Sequence, residues 1–313
     1  MAVRIAAIGV GYLGRHHARI LASLPGATLV AVVDRNAERA QEIAAAAGTT
    51  ALTDASDLLG HVDAVTIAAP TELHHALAMP FLRAGVSVLV EKPMARSLAE
   101  ADEMIAEAER TGAVLAVGHT ERFNPAIDVA RTVVRQPRFI EVHRLGTFPE
   151  RSLDIDVVFD LMIHDLDVVL SLVPAEVESI EAVGVPVLTP RVDIANARIR
   201  FANGAIANLT ASRISRDRVR KIRFFQPAGY LSIDYAAQKI EAWRLTQGQG
   251  GKPSIEGGQV PVANEEPLKR ELADFVDAIV SRRSPLVTGQ QGRRALALAQ
   301  QITDGIARSL TTR

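Results

Sequence analysis

The sequence predicts an α/β chain: an N-terminal doubly wound parallel sheet, then a C-terminal α+β domain with a large, mostly antiparallel open sheet. Three observations carry this expectation. Over the first 120 residues, short apolar runs alternate with helical periods, as strands joined by crossover helices do. Beyond Pro125, strand-like segments follow one another without intervening helices, and Asn203-Gly204 sits between two of them as a hairpin turn. The length of 313 residues suits two domains.

The elements follow in order. Val3 to Gly9 is a continuous apolar run, suited to a strand covered on both faces. Tyr12 to Leu24 reads as a helix stopped by Pro25 and Gly26, Leu29 to Val33 as a second strand, and Ala37 to Ala47 as a helix ended by Gly48. Strands at Val62–Ala68, Val86–Val90 and Val114–Val117 enclose helices at Glu72–Ala84 and Leu98–Thr111. Ser97, with Glu100 three residues on, is a capping box for the second of these helices. The domain boundary falls after Arg122, giving 1–122 and 123–313, with the last helices able to pack back on the first domain. Helices are expected at Ala126–Val134 and Val157–Val173. Strands are expected near 138–148, 176–187, 193–202, 205–214, 219–226, 229–235 and 239–246. The Gly-rich stretch 247–259 reads as a mobile loop, and Pro267–Ser281 and Gln290–Leu310 as closing helices.

Composition excludes several functions. Thirty-five basic against 36 acidic side chains leave a formal charge of −1, so no global field recruits nucleic acid or an anionic membrane. Nine Phe, three Tyr and one Trp are too few for a base-stacking platform. With no cysteine there is neither a disulfide nor a thiolate metal site. No run is long and apolar enough to span a bilayer, and the glycines in the first apolar run argue against a signal peptide. A soluble, cytoplasmic protein is expected.

The first chemical motif is Gly9-Val10-Gly11-Tyr12-Leu13-Gly14, between a strand and a helix. Gly9 allows a tight turn, Gly11 lets a pyrophosphate approach the backbone, and Gly14 lets the helix pack close to the sheet. The helix N-terminus supplies N–H groups and partial positive charge for phosphates. Asp34, 20 residues after Gly14, is placed to accept both ribose hydroxyls, which favours NAD over NADP. The neighbouring Arg35 could instead hold a 2′-phosphate.

Glu91-Lys92-Pro93 follows the strand Val86–Val90, at the carboxyl end where ligands of parallel sheets bind. A partly desolvated lysine there can help remove a hydroxyl proton, although such a tripeptide is more commonly a solvated turn. In FDLMIHDLDVVL, Asp160, His164 and Asp167 fall on one stripe of an otherwise apolar helix. Such a stripe lines a cavity or pairs with itself, and a metal site would need a third ligand from elsewhere, so none is expected. The loop Gly118–Pro125 offers Arg122 and Asn124 to a cofactor or substrate, with a plain interdomain turn as the alternative. His16, His17 and His75 read as ordinary helix-face residues, and the cationic stretch 213–223 as the solvated side of strands.

Together GVGYLG, AAPTELHH at 68–75, VEKP, GHTERFNP and DLMIHDLD, in this order, resemble the Gfo/Idh/MocA family of dinucleotide-dependent sugar oxidoreductases over almost the whole chain. The resemblance implies a Rossmann domain and a C-terminal sheet that serves as both substrate floor and oligomer interface, hence a homodimer or homotetramer. It implies Lys92, Asp160 and His164 as the catalytic group. It places Pro70, Thr71 and His74, with Glu91, Lys92 and Arg122, at the cofactor, beside the loop from Gly9 through Tyr12 and Leu13 to Gly14 with Asp34 and Arg35. The runs ERFNPA, FDLMIHDLDVV and 187–215 are similar to family members that oxidise C3 of UDP-N-acetylglucosamine for lipid A synthesis. That resemblance implies a pyridoxal-phosphate aminotransferase downstream. Lys92, Asp160, His164, Arg122, Asn124 and Arg144 are then the expected substrate contacts, the last three holding the diphosphate handle. Rival readings are another sugar or polyol dehydrogenase of the family, or a non-catalytic dinucleotide-binding regulator.

Overall fold

The computed structural model describes residues 2–148, 155–247 and 252–311. The chain forms two compact units, one of Met1–Thr120 with Glu266–Arg294 and the other of Glu121–Glu265 with Ala295–Arg313.

The first unit holds a six-stranded sheet of β1 (Val3–Ile8), β2 (Ala27–Val33), β3 (Thr50–Leu52), β4 (Ala64–Ile67), β5 (Ser87–Glu91) and β6 (Leu115–Gly118). All its pairings are parallel and the strand order is β3-β2-β1-β4-β5-β6. The order reverses direction at β1, which opens a crevice beyond the carboxyl ends of β1 and β4. Strands β4, β5 and β6 are buried along their whole length, as expected where helices cover both faces. The crossover helices are α1 (Gly14–Leu21), α2 (Ala37–Ala47), α3 (Thr71–Arg83) and α4 (Leu98–Thr111). Ser97 caps α4 as the sequence predicts, its hydroxyl accepting the Glu100 N–H at 3.2 Å.

Two details differ from the sequence expectation. Helix α1 starts at Gly14 rather than Tyr12, because Tyr12 and Leu13 belong to the glycine turn. The three-residue edge strand β3 is too short to show a period, and its pairing with β2 alone defines it.

The second unit is an eight-stranded sheet in the order β14-β13-β12-β11-β7-β10-β9-β8. Its strands are β7 (Phe139–Leu145), β8 (Val177–Val185), β9 (Ile194–Phe201), β10 (Ile206–Ser212), β11 (Val219–Gln226), β12 (Gly229–Asp234), β13 (Lys239–Gln247) and β14 (Pro253–Val260). Every pairing is antiparallel except β7 with β10. Strict alternation along β9 places Ala195, Ala197, Ile199 and Phe201 inward, where they meet α5 (Pro125–Val133) and α6 (Ile163–Leu172) in one core. The Asn203-Gly204 turn joins β9 to β10, with Gly204 at φ +79°.

The Gly-rich segment expected to be a mobile loop is instead strand β14 over 253–260, while 248–251 lie outside the described residues. Glycine is what permits the pairing: a Cβ on Gly257 would stand 2.1 Å from the Ala242 carbonyl oxygen. Helices α7 (Pro267–Ser281) and α8 (Gly289–Thr311) close the chain. Leu272, Phe275 and Val276 of α7 pack with Val3, Ile5 and Leu21 of the first unit, and α8 runs on from that unit into the second.

Candidate active site

In the first unit the motif residues gather at the carboxyl ends of β1, β4 and β5. Gly9 has φ +80°, and a Cβ there would stand 2.9 Å from the Ala68 and Ala69 backbone. A Cβ on Gly14 would stand 1.8 Å from the Gly9 carbonyl oxygen. Both positions therefore require glycine. Gly11 differs, with nothing within 4 Å of where its Cβ would be, so that side of the turn is open for a pyrophosphate to reach the backbone. The turn thus fits a dinucleotide. Tyr12 is largely exposed beside it, with the Arg15 guanidinium 5.3 Å from its ring centre.

Asp34 follows β2 directly, with its carboxylate buried against the same turn. It accepts the Val10 N–H at 3.1 Å and the Asn36 N–H at 2.9 Å, which fixes its direction. The cation facing it is Arg39 at 3.3 Å, in the first turn of α2; Arg39 and Arg35 are both exposed. The sequence reading missed Arg39 because only the start of α2 brings it round to the strand end.

Pro70 and Thr71 start α3, and His74 lies buried one turn on. Its ring nitrogens lie 2.8 Å from the Ala69 carbonyl oxygen and 2.9 Å from that of Pro93. His74 therefore braces the loop after β4 against the loop after β5. Burial pushes its pKa down, against the opposing pull of the two carbonyls. Glu91, the last residue of β5, is buried, and Lys92, joined to Pro93 by a cis peptide, is half-buried at the strand end.

In the second unit, the expected helix 157–173 begins with a wide π turn over Val158–Met162 before α6 starts at Ile163. Such turns interrupt a helix where side chains need an offset from the regular spacing. Asp160 lies in the π turn and His164 in the first turn of α6, both half-buried. The other acids of the motif turn inward. Asp165 makes a two-point contact with Arg144 of β7, at 2.6 and 2.9 Å, and Asp167 meets Arg122 at 3.2 Å.

Arg144 also donates to Glu121 Oε1 through both terminal nitrogens at 3.1 Å. Burial disfavours its charge, yet the two carboxylates more than offset this and hold its pKa above the ordinary arginine value. Burial pushes Asp165 upward in spite of Arg144. Asn124 caps α5, accepting the Ala126 N–H at 3.1 Å and donating to the Tyr235 carbonyl at 3.1 Å.

Arg122, Asn124 and Arg144, expected at the substrate handle, are thus each buried and engaged inside this unit. For Arg144, four of five N–H directions are taken by two carboxylates, which leaves no fork for a phosphate. Asp167 lay on the predicted polar stripe as a possible self-pairing residue. Asp165 had no signal beyond its place in an acid-rich motif, because its partner lies 21 residues away on another element.

Residues 3–119 match the family description "Oxidoreductase family, NAD-binding Rossmann fold", and residues 127–232 match "GFO/IDH/MocA C-terminal domain". UDP-N-acetylglucosamine 3-dehydrogenase of Acidithiobacillus ferrooxidans is 42% identical over 302 residues, 96% of each chain. A solved structure of that enzyme superposes with TM-score 0.93 at 40% identity, covering 98% of both chains. Myo-inositol 2-dehydrogenase of Thermotoga maritima is 27% identical over 95% of this chain and 94% of its own. The chain belongs to the Gfo/Idh/MocA family of NAD-binding oxidoreductases.

Proposed function

We propose that the chain oxidises the C3 hydroxyl of UDP-N-acetylglucosamine to the 3-keto sugar nucleotide, using NAD. The observation that carries the substrate is the 42% identity, sustained over 96% of both chains, to an enzyme named for that reaction. NAD, when bound, supplies the hydride acceptor.

The remaining work falls to the chain. The open backbone at Gly11 and the buried Asp34 carboxylate hold pyrophosphate and ribose. His164 takes the proton of the C3 hydroxyl, Asp160 orients its imidazole, and Lys92 directs and polarises the hydroxyl oxygen. Half-burial of all three suits groups that meet a substrate yet are shielded from bulk water. In this reading Arg122, Asn124 and Arg144 act from behind, holding the 121–125 segment and α6 so that His164 keeps its place. Binding energy from the remote diphosphate and uracil orients C3 for reaction.

Oxidation of an alcohol by NAD is uphill near neutral pH, so a downstream pyridoxal-phosphate aminotransferase consuming the ketone is part of the proposal. So is self-association. The outer sheet face exposes Trp243, Leu245 and Ile255 on β13 and β14 and, at the opposite edge, Val183 and Val185 on β8, apolar side chains that a second copy covers in this reading. Light scattering that shows a monomer at micromolar concentration would remove that part. No helix among the described residues is long and apolar enough to cross a membrane, and we place the reaction in the cytoplasm.

The test is a substrate panel. UDP-N-acetylglucosamine, free N-acetylglucosamine and myo-inositol are each incubated with NAD, with and without an aminotransferase and amino donor. NADH should form with the sugar nucleotide and increase when the ketone is removed. Oxidation of inositol alone would point to the family's polyol activities, and no oxidation of any alcohol to a non-catalytic regulator.

A further inference from the structure

His17, expected on an ordinary helix face, is fully buried in α1. Its Nε2 lies 3.2 Å from Glu91 Oε1. A hydrogen bond therefore joins the two buried side chains. The other oxygen of Glu91 accepts the backbone N–H of Lys92 at 3.3 Å. Glu91 is also closely packed by its strand neighbour. It pairs with Gly118 across β5 and β6, and a Cβ on Gly118 would stand 2.7 Å from the Glu91 carboxyl carbon. A buried carboxylate of Glu271, from α7, lies with these groups, the ligand atoms of all three within 4.8 Å of one another.

We propose that His17 is a positioning residue for the oxidation. Through its bond to Glu91, which Gly118 crowds as well, it fixes the backbone at the end of β5 and hence the direction in which the Lys92 side chain leaves it. This rests on the reading of Lys92 as a group that meets the substrate oxygen. The physical basis is that a hydrogen bond between two buried side chains is electrostatically stronger than one in water, and an unmade one there is costly. Because α1 opens at the Gly9–Gly14 turn, the same contact ties the dinucleotide turn to the lysine-bearing strand end. A tie of this kind controls geometry rather than affinity: misdirecting Lys92 slows the chemistry while the cofactor still binds. A divalent cation held by His17, Glu91 and Glu271 is the competing occupant of the cluster.

Three variants test this in the 313-residue chain. His17→Leu keeps apolar volume and removes the hydrogen bond, His17→Gln keeps a hydrogen-bonding group at similar reach, and Gly118→Ala displaces Glu91 by crowding its carboxyl group. Turnover, KM for the sugar nucleotide, NAD affinity and melting temperature are measured for each. His17→Leu and Gly118→Ala should lower kcat at least about tenfold with NAD affinity within about threefold, and His17→Gln should recover most of the loss. In a Lys92→Met background, His17→Leu should add less than about threefold, because both changes act on one group.

Normal kcat in His17→Leu, with Lys92→Met inactive, overturns this proposal alone, whereas normal kcat in Lys92→Met overturns the lysine reading and this proposal with it. Parallel loss of kcat, NAD binding and melting temperature in all three variants shows a purely structural role. One tightly held divalent cation per chain in the isolated protein, whose removal abolishes turnover, makes His17 a ligand instead and also overturns it. If His17→Leu does not fold, Gly118→Ala decides by the same criteria.

Discussion

Arg144 grips Asp165 at two points, 2.6 and 2.9 Å apart, and both side chains are almost fully buried. Asp165 follows His164 directly, so this ion pair between β7 and α6 fixes the helix turn that carries the proposed base. Removing one partner leaves a buried charge unmatched, and Arg144→Met should cost about 3–5 kcal/mol of stability. The double variant Arg144→Met/Asp165→Leu should cost less than the sum of the two single changes. Chemical denaturation reads both. A loss below about 1 kcal/mol in Arg144→Met would place the pair among those that contribute little.

In the proposed function, Asp34 should govern cofactor choice. Its carboxylate repels a 2′-phosphate and accepts a free 2′-hydroxyl, so NAD should bind better than NADP. Asp34→Ala should weaken NAD binding by roughly 1.5–3 kcal/mol, the worth of a hydrogen bond to a charged group, and narrow the gap between the cofactors. Fluorescence titration measures both affinities. Equal affinities in the unaltered protein would shift attention to Arg39, the cation that faces Asp34 at 3.3 Å.

Lys92→Met and His164→Ala should each reduce turnover by at least ~10²-fold while leaving NAD affinity nearly intact. Because the proposed reaction has both act on one substrate oxygen, they should lose much less together than the product of the single losses. Near-normal steady-state turnover in His164→Ala would move the base role to Lys92.

Asp193 makes the second unit sensitive to acid. Burial raises its pKa, but the N–H groups of Leu188, Thr189 and Val187 outweigh this and bring it down from the ordinary 3.8 to about 2. The folded state then binds the proton less readily than the unfolded chain. Its stabilisation is full above pH 3.8 and is lost as pH falls toward 2. Melting temperatures over that window should fall less steeply in Asp193→Asn than in the unaltered protein. Parallel curves for the two proteins would contradict this origin.

The parallel sheet was legible because its strands are buried on both faces and its turns carry glycine where sterics demand it, as at Gly9 and Gly14. The second sheet was legible through alternation such as that of β9, but β14 was not. Gly257, part of a run that signals a loop in sequence, serves close strand approach in the fold. The motif residues Asp34, Lys92, Asp160 and His164 could be named from spacing and resemblance. Their supports could not. His17, Arg39 and Asp165 gain meaning only from partners that chain topology brings to them, Glu91 for His17 being 74 residues away.

The most direct test follows the hydrogen itself. UDP-N-acetylglucosamine carrying deuterium at C3 is incubated with the enzyme, NAD and an aminotransferase with its amino donor, and the products are weighed by mass spectrometry. Deuterium should appear in the reduced nicotinamide, and the sugar should lose it. Reduced nicotinamide without deuterium, beside a sugar that retains the label at C3, would contradict oxidation at that carbon.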